Sequence, residues 1–317
     1  MLARHAENMF WAGRYVERAE DTARMLTATL QSAVSVSPQQ ASLNFDQLLR
    51  TLRQERPPGQ LGPDDMLSLL VSDLTQPGSI VSSVGSSREN FGALRDQVPH
   101  ELWEQTNRLH LRLQDRSFRL LLDRDPFAAL DLVRDGCQQL AGIVATAMAR
   151  DEGYRFLILG QVLERALMTC RLVNVRASEL SGSYEEMALI LRSLSALAAY
   201  HRTNRAASGP VEVVSFLVLG DSFPRSILFC LRRAEDQLAI LDGETRSTPR
   251  LLLGRLRSEL DYADVEHVVA HLRAKLDHIE VSLREVAAAI GSRYFRSGDE
   301  LALHSQSLLP GIEAMQR

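Results

Sequence analysis

The chain of 317 residues carries 36 Lys plus Arg against 40 Asp plus Glu, a formal net charge of −4, so no global field favours nucleic acid or an anionic membrane as partner. Hydrophobic residues supply 45% and aromatics only 6%, and Leu, Ala, Arg and Glu dominate; these are helix formers rather than the β-branched and aromatic residues of sheets. Cys137, Cys170 and Cys230 lie far apart without a CxxC pair, which predicts reduced thiols rather than a disulfide framework. No basic stretch followed by an apolar run opens the chain, and no apolar run reaches the ~20 residues of a membrane span. The expected location is therefore the cytoplasm.

From Ala6 to about Val34, Met9, Phe10, Tyr15, Val16, Ala19, Ala23, Leu26 and Leu30 recur largely in steps of three and four, which predicts one long amphipathic helix. A second segment is expected from about Leu43 to Arg53, a loop over ERPPGQLGPDD (55–65), and a helix through Ser72 capped by Asp64 or Asp65. The stretch TQPGSIVSSVGSSREN reads as a break, followed by helices over SSRENFGALRDQ and HELWEQTNRLHLRLQ, divided at Pro99. Asp125-Pro126 then places a cap and a first-turn proline before a helix over 126–149. Further helices are predicted over 152–178, 184–205, from Phe223 through Leu241, over 248–259 and over 261–290, with a short apolar piece at VEVVSFLVLGDS. The tail from Ser297 is weakly patterned. Together these predict an all-α, multi-helix bundle.

Compared with itself, the chain matches GRYVERAEDTAR (13–24) to GQVLERALMTCR (160–171) at Gly, Glu, Arg, Ala, Thr and Arg in register. A fainter echo links SSRENFGALR (86–95) to SFPRSILFCLRR (222–233). The expected organisation is a single body over 1–296, made of two related halves of about 1–125 and 126–296 around a pseudo-twofold axis, with 297–317 as a tail. On a helix, Gly13, Glu17 and Arg24 share one face, as do Gly160, Glu164 and Arg171. Glycine lets another helix approach closely. If the two helices pack antiparallel, Glu17 would meet Arg171 and Glu164 would meet Arg24 as charge-assisted pairs.

Two readings of Glu17-Arg18 and Glu164-Arg165 stand side by side. One is a buried ion-pair lattice that fixes how the halves dock. The other is a polar pocket whose guanidinium groups clamp a carboxylate or phosphate. Ser87-Arg88-Glu89-Asn90, read as opening a helix, would add Arg88 and Asn90 to such a pocket or else form a capping turn. His267 and His271 lie one turn apart, with Asp264 and His278 on the same predicted face, a set able to hold a metal. HExxH, Walker, Rossmann, GxSxG and paired ExxH patterns are absent from the sequence, and no cofactor is expected. Phe10, Trp11 and Tyr15 are either core or a docking patch, and Cys170 beside Arg171 reads as a buried small residue. Arg192, His201, Arg202 and Arg205 suit the end of their helix through its dipole.

The segments AENMFWAGRYVERAEDTARM, SSRENFGALRDQVPHELWEQTN and VEVVSFLVLGDSFPRSILFCLRRAEDQL resemble the bacterial alpha-E family, a predicted helical domain named for its Glu-Arg motif, to about Phe295. That resemblance implies company with a circularly permuted ATP-grasp ligase and a transglutaminase-like peptidase, and a role in making or processing peptide-type amide bonds. It points to Glu17 and Arg18, Glu164 and Arg165, Ser87 to Asn90, and Pro224 and Arg225. It brings no assigned catalytic residue, and Leu167 departs from the pattern where the first copy has Glu20. The function expected is a non-catalytic helical partner of an ATP-grasp-type amide ligase. The alternatives are a stand-alone enzyme with Glu17 or Glu164 as base, or a structural homo-oligomer.

Overall fold

The computed structural model describes residues 1–57, 59, 61–179, 183–204 and 209–295, and among them there are α-helices but no strand. The first helix, α1, spans Ala3–Ala33. Pro38, at the first position after the capping Ser37, starts α2 (Pro38–Leu52) five residues before the expected Leu43, and the Ser37 hydroxyl accepts the Gln40 N–H at 3.3 Å. In α3 (Pro63–Leu67) the cap position belongs to Gly62, while the Asp65 carboxylate reaches back to accept the Gly62 N–H at 2.8 Å.

A π-helical turn over Ser68–Ser72 follows, and α4 (Ile80–Gly92) then starts well before the predicted SSREN, because the Ser79 hydroxyl caps it. Ser87, Arg88 and Asn90 thus lie inside α4 rather than at its start, and the anion-attracting helix terminus expected there does not exist. After α5 (His100–Gln114), Asp115 caps a separate α6 (Arg116–Arg124), and Asp125 with Pro126 starts α7 (Pro126–Ala147) as the sequence indicates. Next comes α8 (Glu152–Val175), whose apolar residues are spread round the helix rather than gathered in one stripe, and which is accordingly buried over most of its length.

The predicted helix over 184–205 is two, α9 (Tyr184–Ser193) and α10 (Leu197–Thr203), separated where Ser195 adopts φ +51°; Arg205 lies outside the described residues. The apolar piece is a short α11 (Pro210–Val214) with its own π-helical turn, Ser215–Leu219, and Ser226 then caps α12 (Ile227–Asp242). After α13 (Thr248–Asp261), the long C-terminal helix is broken at His271 into α14 (Val265–Ala270) and α15 (Leu272–Tyr294). The tail from Ser297 lies outside the described residues.

Helices α1 and α8 form the central pair. Around α1, α4 and α7 pack directly and α5 bridges between them; around α8, α12 and α15 pack directly and α13 bridges between them. The core is continuous from one group to the other, and Phe10, Trp11 and Tyr15 belong to it. None of the described helices is long and apolar enough to cross a membrane.

Candidate functional site

The two motif helices touch backbone to backbone. A Cβ on Gly13 would stand 2.2 Å from the Leu157 carbonyl oxygen, and one on Gly160 would stand 2.0 Å from that of Phe10. Each glycine thus faces the residue three positions before the other, and no side chain larger than hydrogen fits at either.

Just beyond this contact, Glu17 and Glu164 are fully buried. Glu17 accepts Arg165 Nε at 2.6 Å and Nη2 at 2.7 Å, a bidentate fork, together with Arg225 Nη1 at 2.8 Å and Gln161 Nε2 at 3.1 Å. Glu164 accepts Arg14 Nε and Arg18 Nε, both at 2.7 Å. The Arg14 guanidinium also lies over the Phe10 and Trp11 rings, and that of Arg18 over Tyr15. Burial opposes both negative charges, yet the guanidinium groups overcome it: Arg165 and Arg225 hold Glu17 well below the carboxylate range, and Arg18 and Arg14 hold Glu164 at about 2.

This arrangement corrects the expected partners. The sequence separation across these contacts stays between 144 and 150, so α1 and α8 run side by side in the same direction. An antiparallel pair would instead hold the sum of the two residue numbers constant and bring Glu17 to Arg171. Parallel packing gives each glutamate the arginine that directly follows the other, Arg165 for Glu17 and Arg18 for Glu164.

The more distant arginines find other acids. Arg24 donates through Nη1 to Asp21 Oδ1 at 2.7 Å and through Nη2 to Glu20. Arg171 donates to Glu280 of α15 at 3.0 Å, a carboxylate it shares with Arg53.

Arg225 ties the loop before α12 into the Glu17 cluster. It lies just before the Ser226 cap of α12, and its backbone carbonyl accepts the Thr169 hydroxyl at 2.9 Å, which fixes the loop against α8. Its Nη1 bonds both Glu17 and Asp21, the latter at 2.7 Å. Asp21, Glu20 and Glu17 therefore share Arg24, Arg165 and Arg225. Asp21 is buried and its Oδ2 has no hydrogen-bond partner among the described residues. Burial, reinforced by Glu17 and Glu20, outweighs Arg225 and Arg24 and pushes its carboxyl up to about 7.

The other expected residues stay apart from this lattice. Arg88 donates to Asn107 at 2.7 Å and stacks near Trp103, Ser87 is buried with no hydrogen-bond partner for its hydroxyl among the described residues, and Asn90 is half-buried on the same helix. His267 and His271 are exposed neighbours, but Asp264 is spent capping α14 and His278 pairs with Glu259. Among the described residues no three His, Cys, Asp or Glu side chains are grouped to hold a metal. All three thiols are buried and raised above their ordinary values by burial, Cys230 to about 12.

Sequence reasoning missed Arg14, Asp21, Gln161 and Glu280. Arg14 and Asp21 each lie four residues from a motif residue, Arg18 and Glu17, so helical spacing alone could have included them. Nothing local marks Glu280.

The chain belongs to the Alpha-E family: that family's description, a predicted alpha-helical domain with a conserved ER motif, fits residues 1–295. It is also 26% identical over 314 residues to uncharacterized proteins of Mycobacterium bovis and of two strains of Mycobacterium tuberculosis. The similar region is 88% of this chain but 35% of each relative, so the chain spans about a third of their length. No solved structure matches.

Proposed function

We propose that this Alpha-E protein is a cytoplasmic, non-catalytic helical partner of an ATP-grasp-type amide ligase, working in a system that also contains a transglutaminase-like peptidase. The observation that carries the non-catalytic part is that both motif carboxylates are already paired inside the fold. Glu17 and Glu164 take the Nε donors of Arg14, Arg18 and Arg165, and Arg165 Nη2 as well, for which an external carboxylate or phosphate would have to compete. Both glutamates are held ionised and fully buried, a poor state for a base. The Glu-Arg motifs then act as a clamp that sets how two helical units meet, and Ser87, Arg88 and Asn90 help pack α4 against its neighbours.

The same packing order around α1 and α8 supports reading the body as two related units about a pseudo-twofold axis, as do the π-helical turns before α4 and α12. Because α7 packs with α1, α5 and α6, we place the join between 147 and 152. The partner role draws further support from the mycobacterial relatives, in which a similar region is about a third of a longer polypeptide. A region joined to others in one chain is suited to working beside a second module.

Affinity purification of the tagged chain from its host, followed by mass spectrometry, tests this. A stoichiometric ATP-grasp or transglutaminase-like protein is the expected result. Recovery of the chain alone would overturn the partner reading and leave a structural homo-oligomer, read from solution mass. Asp21 favours one other reading, a stand-alone enzyme, since a carboxyl near neutrality beside Arg24 and Arg225 is what a general acid or base requires. Activity of the isolated chain that vanishes in Asp21→Asn would establish it.

A further inference from the structure

Beside the glycine contact, between α7 and α8, a cleft of about 350 Å³ opens on the surface. Its form follows from residue size. Gly13 draws α8 onto α1, and of the α7 positions that border the space Leu140 and Val144 are buried, while Ala141 and Ala145 are exposed and too small to close it. Val16 and Ile158, half-exposed, with Phe91 and Leu157 behind them, leave an apolar interior accessible to solvent.

The polar part of the lining has one sign. Arg150 and Arg233 border the cleft, and no carboxylate does. The two are not equivalent. Arg150 donates to the Val144 carbonyl at 3.1 Å and the Ala145 carbonyl at 2.6 Å, closing the end of α7, and it stacks over Tyr154 at 4.1 Å. Arg233 is exposed, and its guanidinium has no partner among the described residues. One guanidinium is therefore free for a ligand while the other lends charge but few donors.

The geometry points to a binding site for a small amphipathic monocarboxylate, its apolar body between α7 and α8 and its head group on Arg233. The volume is at the small end of ligand pockets, and apolar walls with few polar groups are their usual composition. A single free guanidinium offers one planar fork, which one carboxylate fills. Gln161 borders the same cleft and donates to Glu17, so a ligand there would contact the clamp that joins the helical units. This inference does not rest on the ligase reading.

The test is titration calorimetry on the full chain with octanoate, octyl phosphate and octylammonium. The size of octanoate predicts saturable binding with Kd of roughly millimolar or tighter. Arg233→Gln should weaken octanoate about tenfold or more, the loss expected of one charge-assisted hydrogen bond. Ala141→Leu should fill the cleft and abolish binding, and its helical signal confirms folding. Octanoate that does not saturate, or that binds both variants as well as the parent, overturns the site. Octylammonium binding as well as octanoate overturns the role of Arg233. Tighter binding of octyl phosphate overturns the monocarboxylate assignment in favour of a phosphate head group.

Discussion

Replacing Glu17 by alanine removes a fully buried carboxylate and strands the Arg165 guanidinium and Gln161, while Arg225 keeps Asp21. Breaking a buried pair from one side leaves uncompensated charge and costs about 3–5 kcal/mol. Arg165→Ala should cost less, since Glu17 keeps Arg225 and Gln161. The discriminating measurement is a pair of double-mutant cycles read from urea midpoints and slopes. Glu17 and Arg165 are in contact and should show a coupling of about 2 kcal/mol or more, whereas Glu17 and Arg171 should add to within about 0.5 kcal/mol. Arg171 instead answers to Glu280, so Glu280→Ala with Arg171→Ala should couple. A coupling to Arg171 that exceeds the one to Arg165, or a Glu17→Ala cost under about 1 kcal/mol, would refute the parallel clamp.

Gly160→Ala should cost about 3 kcal/mol or more, because the new methyl meets the Phe10 carbonyl at 2.0 Å and the helices must part. Gly142→Ala, also helical but with open space around the added carbon, should stabilise by roughly 0.5–1 kcal/mol; chemical denaturation compares the two. Asp21 has its folded-state carboxyl raised from 3.8 to about 7, so between those values the folded chain holds a proton that the unfolded chain has released. Its contribution to stability is therefore greatest at acid pH and falls as pH rises through this window. The slope of stability over that window should flatten in Asp21→Asn, measured by urea titration across pH. Glu164, lowered to about 2, acts in the opposite sense, and its contribution is lost as pH falls below its ordinary 4.5. Cys137, Cys170 and Cys230 should resist a thiol reagent in the folded chain and all react in denaturant, since each is buried and raised.

The sequence by itself determined that this chain is helical and which two helices matter most. Apolar spacing, the cap and first-turn proline at Asp125-Pro126, and the matched Gly, Glu and Arg of 13–24 and 160–171 are local or self-referring signals, so they can be read without knowing what touches what. Ser79 rather than Ser86 starts α4, because several serines there compete as caps and only the tertiary packing of Ile80, Val84 and Phe91 decides among them. The choice of partners was decided by the fold alone. Whether Glu17 meets Arg165 or Arg171 depends on the relative direction of α1 and α8, which a helix sequence does not encode, since its stripe looks the same to a parallel or an antiparallel neighbour. Likewise Arg225, from the loop before α12, and Glu280, on α15, reach Glu17 and Arg171 from far along the chain. The raised carboxyl of Asp21 follows from burial beside two other acids, Glu17 and Glu20, which together outweigh Arg225 and Arg24, a property of the assembled interior rather than of any stretch of residues.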